Sequence, residues 1–524
     1  MNLIISWLLG WILPFVLVLA CIPSHLLNRK SHLVARASSI LLWTTVVLSV
    51  VATGLLFASP ERVVSEGLFC QGLFGVRLDA LSLSLLLLIS FLGAVIMKFA
   101  KNYLAGDERQ GHFSKWMVCT LGAVMILTLA PGLVQFLAGW LATSLGLHKL
   151  LIYFPDRKGT LLSARKKAVV SRVGDVLLIT AFIGIYQSFG TQNFSELFEA
   201  IKKGQTLEGY GWVAWLLSAG ALLKSAQFPF HSWLPETMGA PTPVSALMHA
   251  GIINGGGYLI IRMSPLMVSE VGALMLLAVV GTITAFYGAM VMLTQTSVKK
   301  ALAYSTIAQM GFMMLQCGLG AFHLAALHIL AHSLYKAYTF LSSGSAVSIA
   351  QQLYASPKSL VLPPRHIWKA VFPSFLIVVG VACAFGVTPQ NKPGMLVLSL
   401  VVVMALTHWL WVQMKRGVAG KDWLKSLVTA AFYAVIYFAL AKAAIFVWAD
   451  TFPKVRALPL ELELLLAALI SVFLLTSIRF QDGHPGFLQV RLKRALYVHS
   501  LNGFYLNTMV NKLAKAIGLV PKGL

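Results

Sequence analysis

One stretch of this chain decides its fold: Lys224-Ser-Ala-Gln-Phe-Pro-Phe-His-Ser-Trp-Leu-Pro-Glu-Thr-Met-Gly-Ala-Pro-Thr-Pro-Val-Ser-Ala-Leu-Met-His249. It places a lysine, two histidines, a glutamate and four prolines between two long apolar segments. Prolines interrupt a helix, and an ionisable side chain at the centre of a bilayer costs at least a few kcal/mol. A chain that keeps several such groups beside broken helix is expected to use them to move charge. Transport is therefore the first hypothesis.

The composition places the chain in a bilayer. Hydrophobic residues make up 58%, charged residues 11%, and the mean hydropathy is +0.80, whereas roughly 25% of the residues of a soluble domain are charged. A helix needs about 20 apolar residues to cross a membrane. Such runs lie near residues 3-27, 36-59, 78-99, 115-130, 132-153, 170-188, 211-227, 241-262, 268-293, 301-319, 321-348, 367-387, 395-413, 426-449 and 459-478. We predict an all-α polytopic membrane protein with about fifteen transmembrane segments.

The distribution of charge predicts the topology. The net charge is +24, from 41 lysines and arginines against 17 acidic residues. The basic residues follow the first, third and fifth runs, whereas the loops at 60-77, 189-209 and 450-463 are near neutral or acidic. The positive-inside rule then puts the N-terminus outside and the C-terminus in the cytoplasm of a bacterial inner membrane. Topology and anionic lipid headgroups explain these charges, so we expect no nucleic-acid partner.

The sequence offers no cofactor motif. Its five cysteines are scattered, without a C-x-x-C pair or a Cys/His spacing that suits zinc or an iron–sulfur cluster. It contains neither a P-loop nor a dinucleotide-binding glycine motif that follows a strand. We expect no cofactor in this chain, and we expect it to work on an ion gradient or through a partner.

The opening stretch supplies the first candidate residues. Lys224 precedes Pro229, and a buried lysine that can lose its proton is a carrier; the alternative is a lysine that snorkels from a helix end. His231 and Glu236 lie in the same proline-rich segment. Asp175 lies one turn from Arg172, so a structural ion pair and a relay role are both compatible with its position. We include Lys224, His231, Glu236 and Asp175, but not Arg172, in the predicted ion route.

Histidines supply the second group. His249 lies on an apolar face, where a hydrogen-bonded core histidine is the competing interpretation. His328, His332 and Lys336 follow one another at intervals of four residues, which aligns two imidazoles and an ammonium on one helix face. Such a row can pass a proton along the bilayer plane. Zinc binding by the two histidines of the row is less favoured, since no third ligand lies nearby in the sequence.

A second interrupted segment surrounds Lys392, which lies between Pro389 and Pro393. Paired interruptions in two halves of a chain are typical of transporters built from inverted repeats. We therefore predict two inverted repeats that contain broken helices. The predicted divisions are N-terminal transmembrane helices in 1-110, an antiporter-like core in 111-415, C-terminal transmembrane helices in 416-478 and a basic cytoplasmic tail in 479-524.

Three strings resemble a known family: KSAQFPFHSWLPETMGAPTPVSALMHAG, VKKALAYSTIAQMGFM and HILAHSLYKAYTFLSSGS. They are similar to the antiporter-like membrane subunits of respiratory complex I and of Mrp-type sodium/proton antiporters. The resemblance implies a helical fold with two inverted repeats and a proton route through buried lysines, histidines and acids. It assigns that route to Lys224, His249, His328, His332 and Lys336. Lys392 matches less securely, because the acidic neighbours usual in the family are absent.

One position departs from complex I. Its subunits carry a glutamate just after the tryptophan of the fifth helix, whereas this chain has Leu141 after Trp140. Lys224 then needs another counter-ion, and Asp175 is the best candidate in the sequence. We also expect no counterpart of the long lateral helix of the large complex I subunit.

Two further strings, GWLATSLGLHKLL and Tyr497-Val-His-Ser-Leu-Asn-Gly-Phe-Tyr505, resemble the membrane subunit of the two-component DAB inorganic-carbon accumulation system. That resemblance implies a membrane subunit that conducts cations down their gradient. It also implies a large cytoplasmic partner, similar to a carbonic anhydrase, that holds zinc and converts carbon dioxide to bicarbonate.

The sequence therefore predicts a transporter subunit rather than an enzyme. The ion is a proton or sodium, and its flow is coupled to the carbon chemistry of a partner. Two alternatives remain at this point: a proton-pumping subunit of an NADH-quinone oxidoreductase or hydrogenase, and a subunit of an Mrp-like sodium/proton antiporter.

Overall fold

The computed structural model describes residues 2–58, 63–69, 73–345, 362–387, 394–453, 455, 459–481 and 487–518. Lys392, one of the predicted route residues, lies outside them.

Helices dominate the described chain. The first part contains four helices and a hairpin: α1 (Asn2–Gly10), α2 (Ile12–Cys21), α3 (Ser24–Arg29), α4 (Ser31–Ala58), β1 (Val64–Phe69) and β2 (Phe74–Leu78). Five helices follow: α5 (Ala80–Tyr103), α6 (Gln110–Thr128), α7 (Leu133–Leu151), α8 (Lys158–Phe189) and α9 (Phe194–Lys202).

The middle of the chain is the most interrupted. It contains α10 (Trp212–Lys224), α11 (Trp233–Glu236), α12 (Thr242–Ala250), α13 (Gly255–Arg262), α14 (Ser264–Met267), α15 (Val271–Met292), α16 (Val298–Gly318) and α17 (Phe322–Leu341). The last part contains α18 (Trp368–Ala384), α19 (Met395–Lys415), α20 (Gly420–Val447), α21 (Leu460–Gln481), α22 (Phe487–Leu501) and α23 (Leu506–Ala516).

Nine helical stretches in the described ranges are long and apolar enough to cross a membrane. The chain is therefore a multi-pass membrane protein, as predicted. Each of the fifteen predicted runs coincides with one helix or with consecutive helices, but those outside the nine are shorter or less apolar. The count of about fifteen crossings and the two inverted repeats stay predictions.

Burial divides the helices into central and peripheral ones. The most apolar helices are not all at the periphery: α5 is buried along most of its length, with Leu83 and Ala94 fully covered. In contrast, α8 exposes Val176 and Ile183, and α20 exposes Phe446. Exposed apolar side chains on a membrane helix face lipid at no cost, since lipid tails are as apolar as the side chains. The polar site described below is therefore enclosed by protein.

Helices α15 and α16 pack against each other more extensively than any other pair in the described chain. A Cβ atom at Gly288 would lie 2.6 Å from the backbone nitrogen of Ala308, so the two backbones approach too closely for a side chain. Small residues at such a contact are the usual basis of helix packing in membranes.

The hairpin is a departure from the all-α prediction. Strands β1 and β2 pair antiparallel, with Val64 opposite Leu78 and Gly67 opposite Gly75. The segment lies between two predicted membrane runs, where a backbone outside the hydrocarbon can form a ladder of its own. Two short strands give only a weak sequence signal beside fifteen predicted helical runs, so the sequence did not predict them.

A buried ionic network fixes the start of α5. Asp79 caps this helix by accepting a 2.8 Å hydrogen bond from the backbone of Ser82. Its other oxygen receives Arg262 at 2.5 Å and Arg77 at 3.0 Å. Arg262 ends α13, so the network ties the hairpin, α5 and α13 together. Its side chains are at most 8% exposed.

We expect Asp79→Asn to destabilise the protein by about 3–5 kcal/mol, because removing one partner leaves buried guanidinium groups without a counter-charge. Thermal unfolding in detergent measures the effect. Asp422→Asn is the matched control: this aspartate pairs with Lys425 near a helix start, but both side chains are exposed, and its melting temperature should not change. Equal melting temperatures for the two variants would contradict a stabilising role of the network.

Candidate ion-translocation site

Lys224 is the last residue of α10, where the helix stops because Ala226 adopts a left-handed backbone conformation with φ +49°. Its ammonium donates a 2.9 Å hydrogen bond to the Ser144 hydroxyl and a 3.4 Å bond to the Trp140 carbonyl. It also lies 4.1 Å from the centre of the Trp140 ring, a cation–π distance. The side chain is buried rather than snorkelled, and helix α7 supplies both of its hydrogen-bond partners.

Asp175 is close to Lys224 but does not pair with it directly. Its carboxylate accepts a 2.8 Å hydrogen bond from the indole nitrogen of Trp140 and forms a 2.7 Å ion pair with Arg172. In the described chain, no carboxylate lies within 4.0 Å of the Lys224 ammonium. The structural ion pair with Arg172 therefore exists, and Trp140 stands between the aspartate and the lysine. The relay role of Asp175 stays a prediction.

The sequence analysis missed a second buried lysine. Lys167 donates a 2.9 Å hydrogen bond to the carbonyl of Ser144, the residue whose hydroxyl binds Lys224. The basic residues before Val170 were interpreted as loop charges, but α8 begins at Lys158. Extending the predicted helix back through the basic segment would have placed Lys167 inside that helix.

His231 and Glu236 lie in the segment between α10 and α12, which is broken as predicted. His231 is buried, its ring centre is 4.5 Å from that of Tyr287, and neither ring nitrogen has a hydrogen-bond partner within the described ranges. Glu236 forms an ion pair with Lys166 of α8. The structure thus places His231 among aromatic rings and Glu236 at an ionic contact near a helix end.

The C-terminal tail covers this segment, which the sequence did not reveal. Asn511 of α23 accepts a 2.6 Å hydrogen bond from Lys166 and donates one of 3.1 Å to Glu236. The backbone turns sharply between α22 and α23, where Gly503 accepts a 3.0 Å hydrogen bond from the hydroxyl of Tyr287. Tyr287 therefore touches both His231 and the tail. We call residues 501–511 the tail clasp.

The histidine row of α17 exists as predicted. His328 bonds Gln316 at 2.9 Å, and its ring centre is 5.8 Å from that of His332. One turn further, the Lys336 ammonium donates to the Ser305 hydroxyl at 2.8 Å and lies fully buried. Three ionisable groups therefore follow one another along one helix.

His249 lies on α12, which packs along α17. It is fully buried, its ring stacks on Phe340 at 4.4 Å, and both ring nitrogens lack a partner within the described ranges. A core histidine is normally hydrogen-bonded. His249 lacks such a hydrogen bond among the described residues, and its role as a proton carrier stays a prediction.

A helix break with polar side chains connects Lys224 to the histidine row of α17. Asn254 lies between α12 and α13 and donates a 2.9 Å hydrogen bond to Ser333, the neighbour of His332. The next residue, Gly255, packs on the side chain of Lys224. Short polar side chains at a helix break carry no charge, so no charge pattern in the sequence marked them.

Among the described residues, no group of three or more histidines, cysteines or carboxylates is arranged to hold a metal ion.

Comparison with known proteins identifies the family. A family model described as NADH:quinone oxidoreductase/Mrp antiporter, transmembrane, matches residues 130–361, and one for the N-terminus of complex I chain 5 matches residues 72–114. The protein named "Probable inorganic carbon transporter subunit DabB2" from Halothiobacillus neapolitanus is 37% identical over 460 residues, which cover 85% of this chain and 82% of that protein. The chain belongs to the DabB family of inorganic carbon transporter subunits. The resemblance seen in the sequence strings is thereby confirmed.

Other relatives place DabB proteins within a larger group. The DabB subunit of Hydrogenovibrio crunogenus is 34% identical over 84% of this chain and 82% of its own length. Subunit L of the Escherichia coli NADH-quinone oxidoreductase is 36% identical, but the match covers only 56% of this chain and 49% of subunit L. The Mrp complex from Dietzia sp. shares the fold, with a TM-score of 0.54 over 97% of this chain and 57% of that chain at 23% identity.

We expect Lys224→Ala to abolish ion flux while the protein still inserts, because the change removes the buried carrier and adds no polar group. Flux into membrane vesicles and the amount of inserted protein are the two measurements. Lys149→Ala, at an exposed lysine of α7, is the control and should conduct normally. Normal flux through Lys224→Ala would refute a carrier role for this lysine.

The tail clasp predicts a specific effect of Gly503→Ala. Gly503 has φ +56°, and a Cβ there would lie 3.1 Å and 3.2 Å from the hydroxyls of Tyr304 and Tyr287. We expect the tail to undock and trypsin to cut it several-fold faster. Gly518→Ala is the matched control: φ is +74°, but the added Cβ meets open space. Equal cleavage rates in both variants would mean that the strain of a left-handed residue, and not docking on the tyrosines, governs the tail.

Proposed function

We propose that this DabB-family chain conducts protons, or sodium ions, across a bacterial inner membrane and thereby drives the accumulation of inorganic carbon. In this proposal the N-terminus lies outside, the C-terminus lies in the cytoplasm, and a large carbonic-anhydrase-like zinc subunit binds at the cytoplasmic face. The chain itself is a transporter subunit without enzymatic activity, and any zinc belongs to the partner. Anionic lipid headgroups bind its basic loops.

The observation that carries the proposal is the similarity to inorganic carbon transporter subunits over more than four fifths of both chains. Similarity of that extent covers the site and the surrounding helices together. The quinone oxidoreductase relatives support only the shared core, since this chain spans about half of their length.

The arrangement of buried groups supports conduction. Lys224 and Lys336 are both buried, and each donates to a serine hydroxyl on a neighbouring helix. A buried charge without a counter-ion is costly, so such a lysine is held where it can exist in neutral form and exchange a proton. His249 lies on α12, which packs along the helix that carries His332 and Lys336, and Asn254 contacts Ser333 beside His332. Successive protonation along this series would move charge along the plane of the bilayer.

The energetics require a partner. A carbonic anhydrase only accelerates an equilibrium, so net accumulation of bicarbonate needs a source of free energy. One elementary charge that moves through 100 mV releases about 2.3 kcal/mol. That free energy sustains a concentration ratio of roughly fifty-fold, at about 1.4 kcal/mol per factor of ten.

The second candidate function is a proton-pumping subunit of a redox complex, favoured by the 36% identity to subunit L. Leu141 argues against it. In the complex I subunits that the sequence resembles, this position carries the glutamate that partners the buried lysine, and leucine cannot hold a charge. An Mrp-like antiporter subunit rests on the same core match.

Expression in cells that lack carbonic anhydrase tests the proposal. We expect this chain and a carbonic-anhydrase-like zinc partner to restore growth in air together, whereas neither should suffice alone. A protonophore should stop bicarbonate uptake if the ion is a proton, and a sodium ionophore should stop it if the ion is sodium. Lys224→Ala with the partner is the control, because it retains the complex and removes the carrier.

Two outcomes would overturn the proposal. Bicarbonate uptake that continues at full rate with both ionophores would exclude coupling to an ion gradient. NADH-dependent quinone reduction by the complex purified from its native membrane would instead assign the chain to a redox enzyme.

A further inference from the structure

Ser144 is the point at which two buried lysines meet. Lys224 donates to its hydroxyl at 2.9 Å, and Lys167 donates to its carbonyl, also at 2.9 Å. The exposed fractions of Lys167, Ser144 and Lys224 are 4%, 2% and 9%. The two ammonium groups therefore approach one residue from two different helices, α8 and α10, within a space closed to solvent.

The charges around this residue are unbalanced. Asp175 and Arg172 of α8 act on both lysines through their charge, and His148 of α7 lies close enough to Lys167 to be affected by its charge. The carboxylate of Asp175 is occupied by Trp140 and Arg172. No carboxylate lies within 4.0 Å of the Lys167 ammonium in the part of the chain that the structure describes. Two like charges at one serine disfavour each other, so the site favours one shared proton over two.

The position of Lys167 gives the shared proton a direction. At 1.5 Å per residue, Lys167 lies about 14 Å along α8 from its first residue, Lys158. His148 lies one turn beyond Ser144 towards the same end of the bundle, and its buried Nδ1 lacks a hydrogen-bond partner within the described ranges. In the proposed topology this end faces the cytoplasm, and both groups lie between Lys224 and that face.

We propose that Lys167 is the proton acceptor of Lys224, and that Ser144 bridges the two lysines. The inference rests on the proposed ion conduction and names a residue of that same route.

The transfer moves one proton and no electrons. The Lys224 ammonium gives a proton to the Ser144 oxygen and becomes a neutral amine. The hydroxyl proton of Ser144 passes to neutral Lys167, which becomes an ammonium ion. For this step the Lys167 amine turns from the carbonyl to the hydroxyl of the same residue. The release of the proton through His148 then restores neutral Lys167.

Two substitutions separate a relay from a structural lysine. Lys167→Met keeps the length and removes the amine, whereas Lys167→Arg keeps the charge and the hydrogen-bond donor but cannot lose its proton. A relay requires deprotonation, so we expect both variants to slow proton flux by about ten-fold or more. A fixed positive charge or a structural donor would be preserved in the arginine variant.

The measurement uses membrane vesicles from cells that express the chain with its partner. A step in external pH is applied, and a dye trapped inside reports proton entry; vesicles with Lys224→Ala give the background. Lys149→Met is the control, since this lysine of α7 is exposed. The amount of inserted protein is measured for each variant. If Lys167→Met does not insert, Ser144→Ala takes its place, because it removes the bridging hydroxyl and leaves the carbonyl that holds Lys167.

The outcomes are distinguishable. Flux through Lys167→Arg or Ser144→Ala equal to that of the unmodified protein overturns the relay and leaves the proposed function standing. Flux through the unmodified protein that does not exceed the Lys224→Ala background overturns proton conduction itself. Slow flux in both lysine variants, with normal flux in Lys149→Met, supports Lys167 as the acceptor.

Discussion

The constraint on which this structure depends is that backbone polar groups cannot be left unpaired where no water reaches them. The segment from Ser225 to Pro241 interrupts the helices α10 and α12 and contains only the short helix α11 and a single 3-10 turn. It is possible only because protein surrounds it: Phe228 donates its backbone N–H to Thr284, and Ser225 donates to the carbonyl of Ile253. The same enclosure that satisfies the backbone also excludes water from Lys224. The break and the buried charge are therefore two results of one arrangement.

The buried lysines of this site contact neutral polar groups at short distances. The serine hydroxyls of Ser144 and Ser305 each accept from one lysine, and an amide or an indole completes the surroundings. Neutral partners of this kind stabilise an ammonium less than a carboxylate would. A lysine held by neutral partners remains able to give up its proton, whereas one locked in a buried ion pair does not. The contrast appears within this chain, since the buried Lys166 forms an ion pair with Glu236.

The sequence was sufficient to predict the features that depend on a local pattern of residues. Four-residue spacing placed His328, His332 and Lys336 on one face, and the prolines marked the break after Lys224. Contacts between distant segments had no such signal. Ser144 and Asn254 are small polar residues in apolar surroundings, and their partners lie on other helices. Lys167 was obscured by its basic neighbours, because a run of lysines and arginines looks like a loop until the helix start is known.

The tail clasp has a mechanical consequence for α8. Lys166 and Lys167 are adjacent residues on this helix, and consecutive residues of an α-helix point about 100° apart. Lys166 reaches outward to Asn511 of the tail, while Lys167 reaches inward to Ser144. The helix therefore connects the tail, through Lys166, with the buried Ser144, through Lys167. Any displacement of α23 that turns α8 about its axis changes the distance between the Lys167 amine and Ser144, so an event at the surface can alter a buried hydrogen bond without crossing the membrane.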